Sequence, residues 1–102
     1  MGGSRLIGRL IDFFSSHAEP MLSKGVEAFD AGDLEGLRRA VHSVKSSAGN
    51  LGAREVQNLA EKIEQLAVEK KCDGIQPLLT GLQEAFARAK RRLEDVKKGL
   101  EQ

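Results

Sequence analysis

Ala40-Val41-His42-Ser43-Val44-Lys45-Ser46-Ser47-Ala48-Gly49-Asn50-Leu51-Gly52-Ala53 is one helical stretch that keeps an apolar stripe while carrying a His, a Lys and several very small residues on another face. On an ideal helix each residue advances about 100°, so Leu34, Leu37, Val41, Val44, Ala48 and Leu51 collect on one side. Their steps of three, four, three, four and three make the seam of a helix bundle. His42 falls roughly 130° from the centre of that stripe and is expected in solvent. Lys45 and Ser46 lie one turn further on and Gly49 two turns, all in the same sector. An exposed imidazole with a cation beside it and small side chains around it points to phosphoryl chemistry.

Working outward, the rest of the chain also reads as helices. Leu6, Ile7, Leu10, Ile11, Phe13 and Phe14 predict a short, strongly apolar first helix. Ser15 or Ser16 is placed to cap a second, running through Pro20, Met21, Leu22, Val26 and Phe29 to Asp30. Gly32 suits the left-handed position that closes a helix, and Asp33 is a good N-cap for the helix of His42. After the stop at Asn50-Leu51-Gly52, Val56, Leu59, Ile63 and Leu66 carry bundle spacing through a fourth helix, expected over residues 53–71. Cys72-Asp73-Gly74 breaks the chain, and Ile75, Leu78, Leu79, Leu82, Phe86, Ala89, Leu93, Val96 and Leu100 predict the longest helix. Short connections favour antiparallel neighbours. The expected fold is therefore all-α, an up-down four-helix bundle with the short N-terminal helix covering one end.

With 102 residues, 40% apolar and 30% charged, the chain is expected to be a single domain with a modest core. A net charge of +1 gives no polyanion-binding surface. The basic residues near the C-terminus alternate with Glu94 and Asp95, and no Tyr or Trp is present to stack bases, which argues against nucleic acid. Cys72 has no second cysteine to pair with, in keeping with a reducing compartment. Two His and one Cys without ligand spacing make no metal site. No apolar run reaches membrane-spanning length, and no signal-peptide pattern is present. Met1-Gly2-Gly3-Ser4 fails as a myristoylation signal because Leu6 stands where Ser or Thr is required.

The run His42-Ser43-Val44-Lys45-Ser46-Ser47-Ala48-Gly49-Asn50-Leu51-Gly52-Ala53 resembles the signature of histidine phosphotransfer (HPt) domains. It is similar as well to the phosphorylated domain of chemotaxis histidine kinases. The flanks, Ala31-Gly32-Asp33-Leu34-Glu35-Gly36-Leu37-Arg38-Arg39-Ala40 before it and Leu59-Ala60-Glu61-Lys62-Ile63-Glu64 after it, are HPt-like, and the resemblance extends over residues 6–100. One departure is Ser46, which occupies a position that is usually Gly.

The resemblance implies one histidine phosphotransfer domain over residues 1–102. It would accept a phosphoryl group on His42 from a receiver-domain aspartyl phosphate and pass it to another receiver Asp. Such a carrier needs a neutral imidazole, which histidine provides near neutral pH. The loose transition state makes charge neutralisation important, and Lys45 is placed to meet the phosphoryl oxygens. The family commonly uses a Glu or Gln on the following helix to hold the other ring nitrogen. Glu64, twenty-two positions after His42, takes that role by resemblance, although spacing alone does not separate it from Glu61. Ser46, Ser47 and Gly49 are expected to clear space for the partner. Six large apolar residues within residues 6–14 exceed what one stripe can hide. Ile11 and Phe14 are therefore expected beside His42, packing on the receiver with Arg38 and Lys45 as a polar rim.

The expected partners are receiver domains and a histidine or hybrid kinase. No cofactor is expected on this chain, with Mg²⁺ held in the receiver's acidic pocket, and the chain is expected to be a cytoplasmic monomer. An autonomous kinase is disfavoured because no ATP lid or glycine-rich phosphate loop is present. The alternatives are a phosphoacceptor domain of a chemotaxis-like kinase and a helical binding module that carries no phosphoryl group. His17, with none of the motif around it, reads as incidental.

Overall fold

The computed structural model describes residues 2–101, with side chains described for residues 5–100; the reading of residues 1–4 as a failed myristoylation signal lies outside those side chains. Five α-helices follow one another: α1 (Gly2–Phe13), α2 (Glu19–Asp30), α3 (Leu34–Asn50), α4 (Arg54–Val68) and α5 (Ile75–Glu101). A π-type turn, Phe14–Ala18, joins α1 to α2 without a break, and a 3-10 turn, Cys72–Gly74, leads into α5. The α1–α2 unit, α3, α4 and α5 form a four-helix bundle measuring 47 × 18 × 18 Å. None of the described helices is long and apolar enough to cross a membrane.

The apolar stripes make the core. Leu37, Val41, Val44 and Ala48 of α3 meet Val56, Ala60 and Ile63 of α4, Ile75, Leu79, Leu82 and Phe86 of α5, and Leu22 of α2. Gly25 is buried, and a Cβ there would lie 3.3 Å from the Cβ of Ala40, so the missing side chain is what lets α2 and α3 approach closely. Across α3 and α4, His42 meets Glu64 and Gly49 lies against Gln57. Glu55 of α4 pairs with Arg88 of α5, and Leu66 lies against Gly74 in the turn that leads into α5. Glu19 pairs with Lys90 and Asp12 with Lys97 between the first unit and α5.

Three helices stop by the same device. At the end of α2, Gly32 adopts φ +75° while the N–H groups of Gly32 and Asp33 return to the carbonyls of Phe29 and Ala28. At the end of α3, Gly52 adopts φ +71° and the N–H groups of Gly52 and Ala53 return to Gly49 and Ala48. This left-handed closure satisfies carbonyls that would otherwise lack partners. At the end of α4, Lys70 takes the same position with φ 59°. The helix therefore ends at Val68 rather than continuing to Lys71. Asp33 caps α3, its carboxylate accepting from the Gly36 N–H at 2.9 Å.

The start of the chain departs from the sequence expectation. Neither Ser15 nor Ser16 caps a helix; the Ser16 hydroxyl instead donates to the Asp12 carbonyl at 2.8 Å. Pro20 accounts for the position of the widened turn. It has no N–H for the carbonyl four residues back, and its ring crowds that carbonyl. Opening the preceding turn relieves the crowding while the chain stays helical. The first helix is therefore the leading half of a long, locally widened one.

Candidate functional site

Val41 and Val44 are fully buried, which leaves His42 on the outer flank of α3 with its side chain 56% exposed. On α4 the buried seam of Val56, Ala60, Ile63 and Ala67 turns Glu64 toward α3. Its side chain is only 15% exposed and its carboxylate is shared by two groups: Oε2 lies 2.8 Å from His42 Nδ1, and Oε1 accepts from Lys45 Nζ at 2.7 Å. The alternatives Glu61 and Glu64 are thus separated, since Glu64 is the residue that meets both.

The electrostatics follow from that sharing. Burial pushes the Glu64 carboxyl upward, but the hydrogen bonds from Lys45 and then His42, with the attraction of both groups, outweigh it and hold the acid below its ordinary value. An ionised carboxylate only accepts hydrogen bonds. In the neutral ring it therefore favours the tautomer with the proton on Nδ1 and the lone pair on Nε2. In its neutral form an imidazole oriented in this way, with a cation one turn away and open solvent in front, can act as a nucleophile toward an electrophilic phosphorus.

The other expected residues divide. Ser46 and Gly49 are exposed on the same helix, while Arg38, one turn before His42, is partly exposed and bound through Nε to Glu35 Oε2 at 3.0 Å. Ser47 is buried on the inner side of α3 and opens no space beside His42. Ile11 and Phe14 are the larger correction. Both are 1% exposed and belong to the interior, where the Phe14 ring lies 4.9 Å from that of Phe86. They are not a docking surface. The exposed apolar residues of α1 are Leu6, Ile7, Leu10 and Phe13.

Nor does α1 lie beside His42. With Gly25 opposite Ala40, His42 stands level with about residue 23. At 1.5 Å per residue, α1 is then roughly 15 Å or more further along the bundle. His17 stacks on Phe13, with ring centroids 4.8 Å apart. Among the described residues no group of three or more His, Cys, Asp or Glu could hold a metal ion.

Two neighbours of the site were not singled out in the sequence. Glu35 tethers Arg38, and its i,i+3 spacing was a readable signal. Gln57 of α4 packs where a Gly49 side chain would stand, and only the register of α3 on α4 reveals it.

Comparison with known proteins adds one match. A family model described as Hpt domain matches residues 9–99. No curated protein and no solved structure gave a match.

Proposed function

The chain belongs to the Hpt domain family, and we propose that it is a phosphocarrier that takes a phosphoryl group on His42 from a receiver-domain aspartyl phosphate and gives it to the aspartate of another receiver. Hpt domains serve histidine phosphotransfer in phosphorelays, working with receiver domains and histidine kinases and holding no kinase site of their own. The observation that carries the residue assignment is the shared carboxylate, with Glu64 joined to His42 at 2.8 Å and to Lys45 at 2.7 Å.

In the forward step the Nε2 lone pair of His42 attacks phosphorus. The new N–P bond forms as the P–O bond to the aspartyl carboxylate breaks, and that carboxylate leaves with the electron pair. Positive charge develops on the imidazole and is balanced by Glu64 through the Nδ1 proton. Lys45 neutralises the phosphoryl oxygens during a loose transition state. Return to a second receiver reverses these steps, with Mg²⁺ supplied by the receiver's acidic pocket. Exposed Ser46 and Gly49 admit the partner's recessed aspartate, and Arg38 lies on the rim.

The reading includes an up-and-down antiparallel order of helices, supported by the pairings of residues 42 with 64 and 49 with 57, 55 with 88 and 66 with 74, and 19 with 90 and 12 with 97. It also includes a cytoplasmic location, supported by the unpaired Cys72.

Mixing the chain with a labelled phosphoreceiver tests the proposal. Uptake of acid-labile, base-stable label is expected, and His42→Gln abolishes it while leaving the helical content unchanged. Persistent uptake in His42→Gln, or loss of uptake in His17→Gln instead, overturns the assignment.

A further inference from the structure

A phosphoryl group on His42 would carry about two negative charges, and the resting site answers them only in part. Because Nδ1 faces Glu64, Nε2 lies across the ring from that carboxylate, and the group would stand on the solvent side. Lys45 has its Nζ on Glu64 at 2.7 Å, so its charge is already shared with one anion. Arg38 stands one turn before His42, a spacing that puts the two Cβ atoms about 5–6 Å apart. Its Nε and one Nη donate to the two carboxylate oxygens of Glu35, the first at 3.0 Å, which leaves its second Nη clear of that carboxylate. The guanidinium also feels the pull of Glu64, in keeping with a place on the α4 flank of α3. Arg39 instead lines the α2 side of that helix with Lys24 and Glu27.

We propose that Arg38 is a second phosphoryl-binding residue, held by Glu35 while His42 is free and passed to the phosphoryl oxygens when His42 carries the group. The inference rests on the phosphocarrier reading of His42. Glu35 is then both the resting acceptor and the competitor, three residues before Arg38 where His42 is four residues after it. Their ion pair is weak and exchanges readily, because water reaches both side chains, Arg38 33% and Glu35 58% exposed. A dianion with three oxygens offers the same planar fork a stronger two-point partner. The exchange needs only new rotamers of one long side chain, so the backbone of α3 stays in place. Lys45 lacks that freedom. Moving it off Glu64 would strip a mostly buried carboxylate of one of its two donors. Lys45 therefore acts from a fixed place beside Glu64, and Arg38 is the mobile clamp.

Phosphorylation of the full chain by phosphoramidate, which loses ammonia as His42 takes the phosphoryl group, tests this without a receiver. Phosphorus NMR reads the equilibrium constant from the phosphohistidine formed at fixed phosphoramidate and ammonium. Arg38→Ala is expected to lower that constant about tenfold, a loss typical of a charge-assisted hydrogen bond, and Arg38→Lys to restore part of it. Glu35→Gln keeps the shape but removes the competing charge, so it is expected to raise the constant about twofold or more. The opposite signs are decisive. A pair that only stiffens α3 or only docks a receiver would move both variants the same way, or neither, at unchanged helical content. Either result overturns the proposal, and so does Arg38→Lys that behaves as Arg38→Ala. A wild-type chain that takes label from a receiver but not from phosphoramidate also overturns it, since its own residues would then not hold the group. No phosphohistidine from either donor overturns the phosphocarrier reading itself, and the clamp with it.

Discussion

Glu64 serves two donors at once, so the site has a built-in acid dependence. Its folded pKa lies below the ordinary 4.5 because the hydrogen bonds from Lys45 and His42 outweigh the opposing effect of burial. The unfolded chain then takes up the proton at higher pH than the folded one. The stability from Glu64 is therefore complete above about 4.5 and is lost as pH falls through the lower folded value. Denaturant melts should show wild type about 1–2 kcal/mol more stable than Glu64→Gln near neutrality, the gap closing on acidification. Losing a charge-assisted hydrogen bond of about 1.5 kcal/mol at the imidazole should also slow phosphotransfer about tenfold. A gap that widens in acid would show that Glu64 is not held ionised by its partners. Ser46 separates chemistry from docking. Ser46→Leu, at an exposed position, should block transfer from a receiver while uptake from a small phosphoramidate donor stays unchanged. Equal loss of both would place Ser46 in the chemistry instead. That His42 and Lys45 share one face was legible because one helix carries both. Glu64 and Glu61 were resolved only when α4 acquired a register on α3.

At the scale of elements, the sequence spoke clearly wherever a residue type has one conformational use. Gly32 and Gly52 marked the ends of α2 and α3, and Asp33 marked the start of α3. It was silent where an ordinary residue does a glycine's work. Lys70 closes α4 at φ 59°, and nothing in its side chain announces a left-handed backbone, so the helix was expected to run three residues too far. Its Cβ crowds the backbone in that conformation. Lys70→Gly should therefore stabilise the protein by about 0.5–1 kcal/mol, the relief of strain exceeding the added freedom of the unfolded chain. Thermal melts check this, and a lower midpoint in Lys70→Gly would show that the closure carries no strain. The π-type turn was illegible for a related reason. Ser15 and Ser16 suit a helix cap as well as a helix interior, and Pro20 suits a first turn as well as a kink.

For the molecule as a whole, that widened turn decides which residues of α1 are interior. It keeps Ile11, Phe14, Ala18 and Leu22 in line, in steps of three, four and four, and carries Phe14 onto Phe86. Counting apolar residues revealed a surplus at this end of the chain. It did not reveal which part of the surplus was buried, because that depends on the phase of α1 after the turn and on the packing of α5. The consequence separates a core residue from a docking residue. Phe14→Ala removes a fully buried ring at the junction of α1, α2 and α5, which costs about 3–5 kcal/mol through lost burial and the cavity left behind. For a domain of this size, that lowers the melting midpoint by more than about 10 °C. Phosphotransfer measured well below the new midpoint should fall only in proportion to the folded fraction, because the ring lies far along the bundle from His42. Circular dichroism and transfer kinetics on the same samples make the comparison. An unchanged melting midpoint with transfer lost would return Phe14 to the receiver-facing surface. A lowered midpoint with transfer tracking the folded fraction is the result expected of a residue that holds the first helix to the bundle.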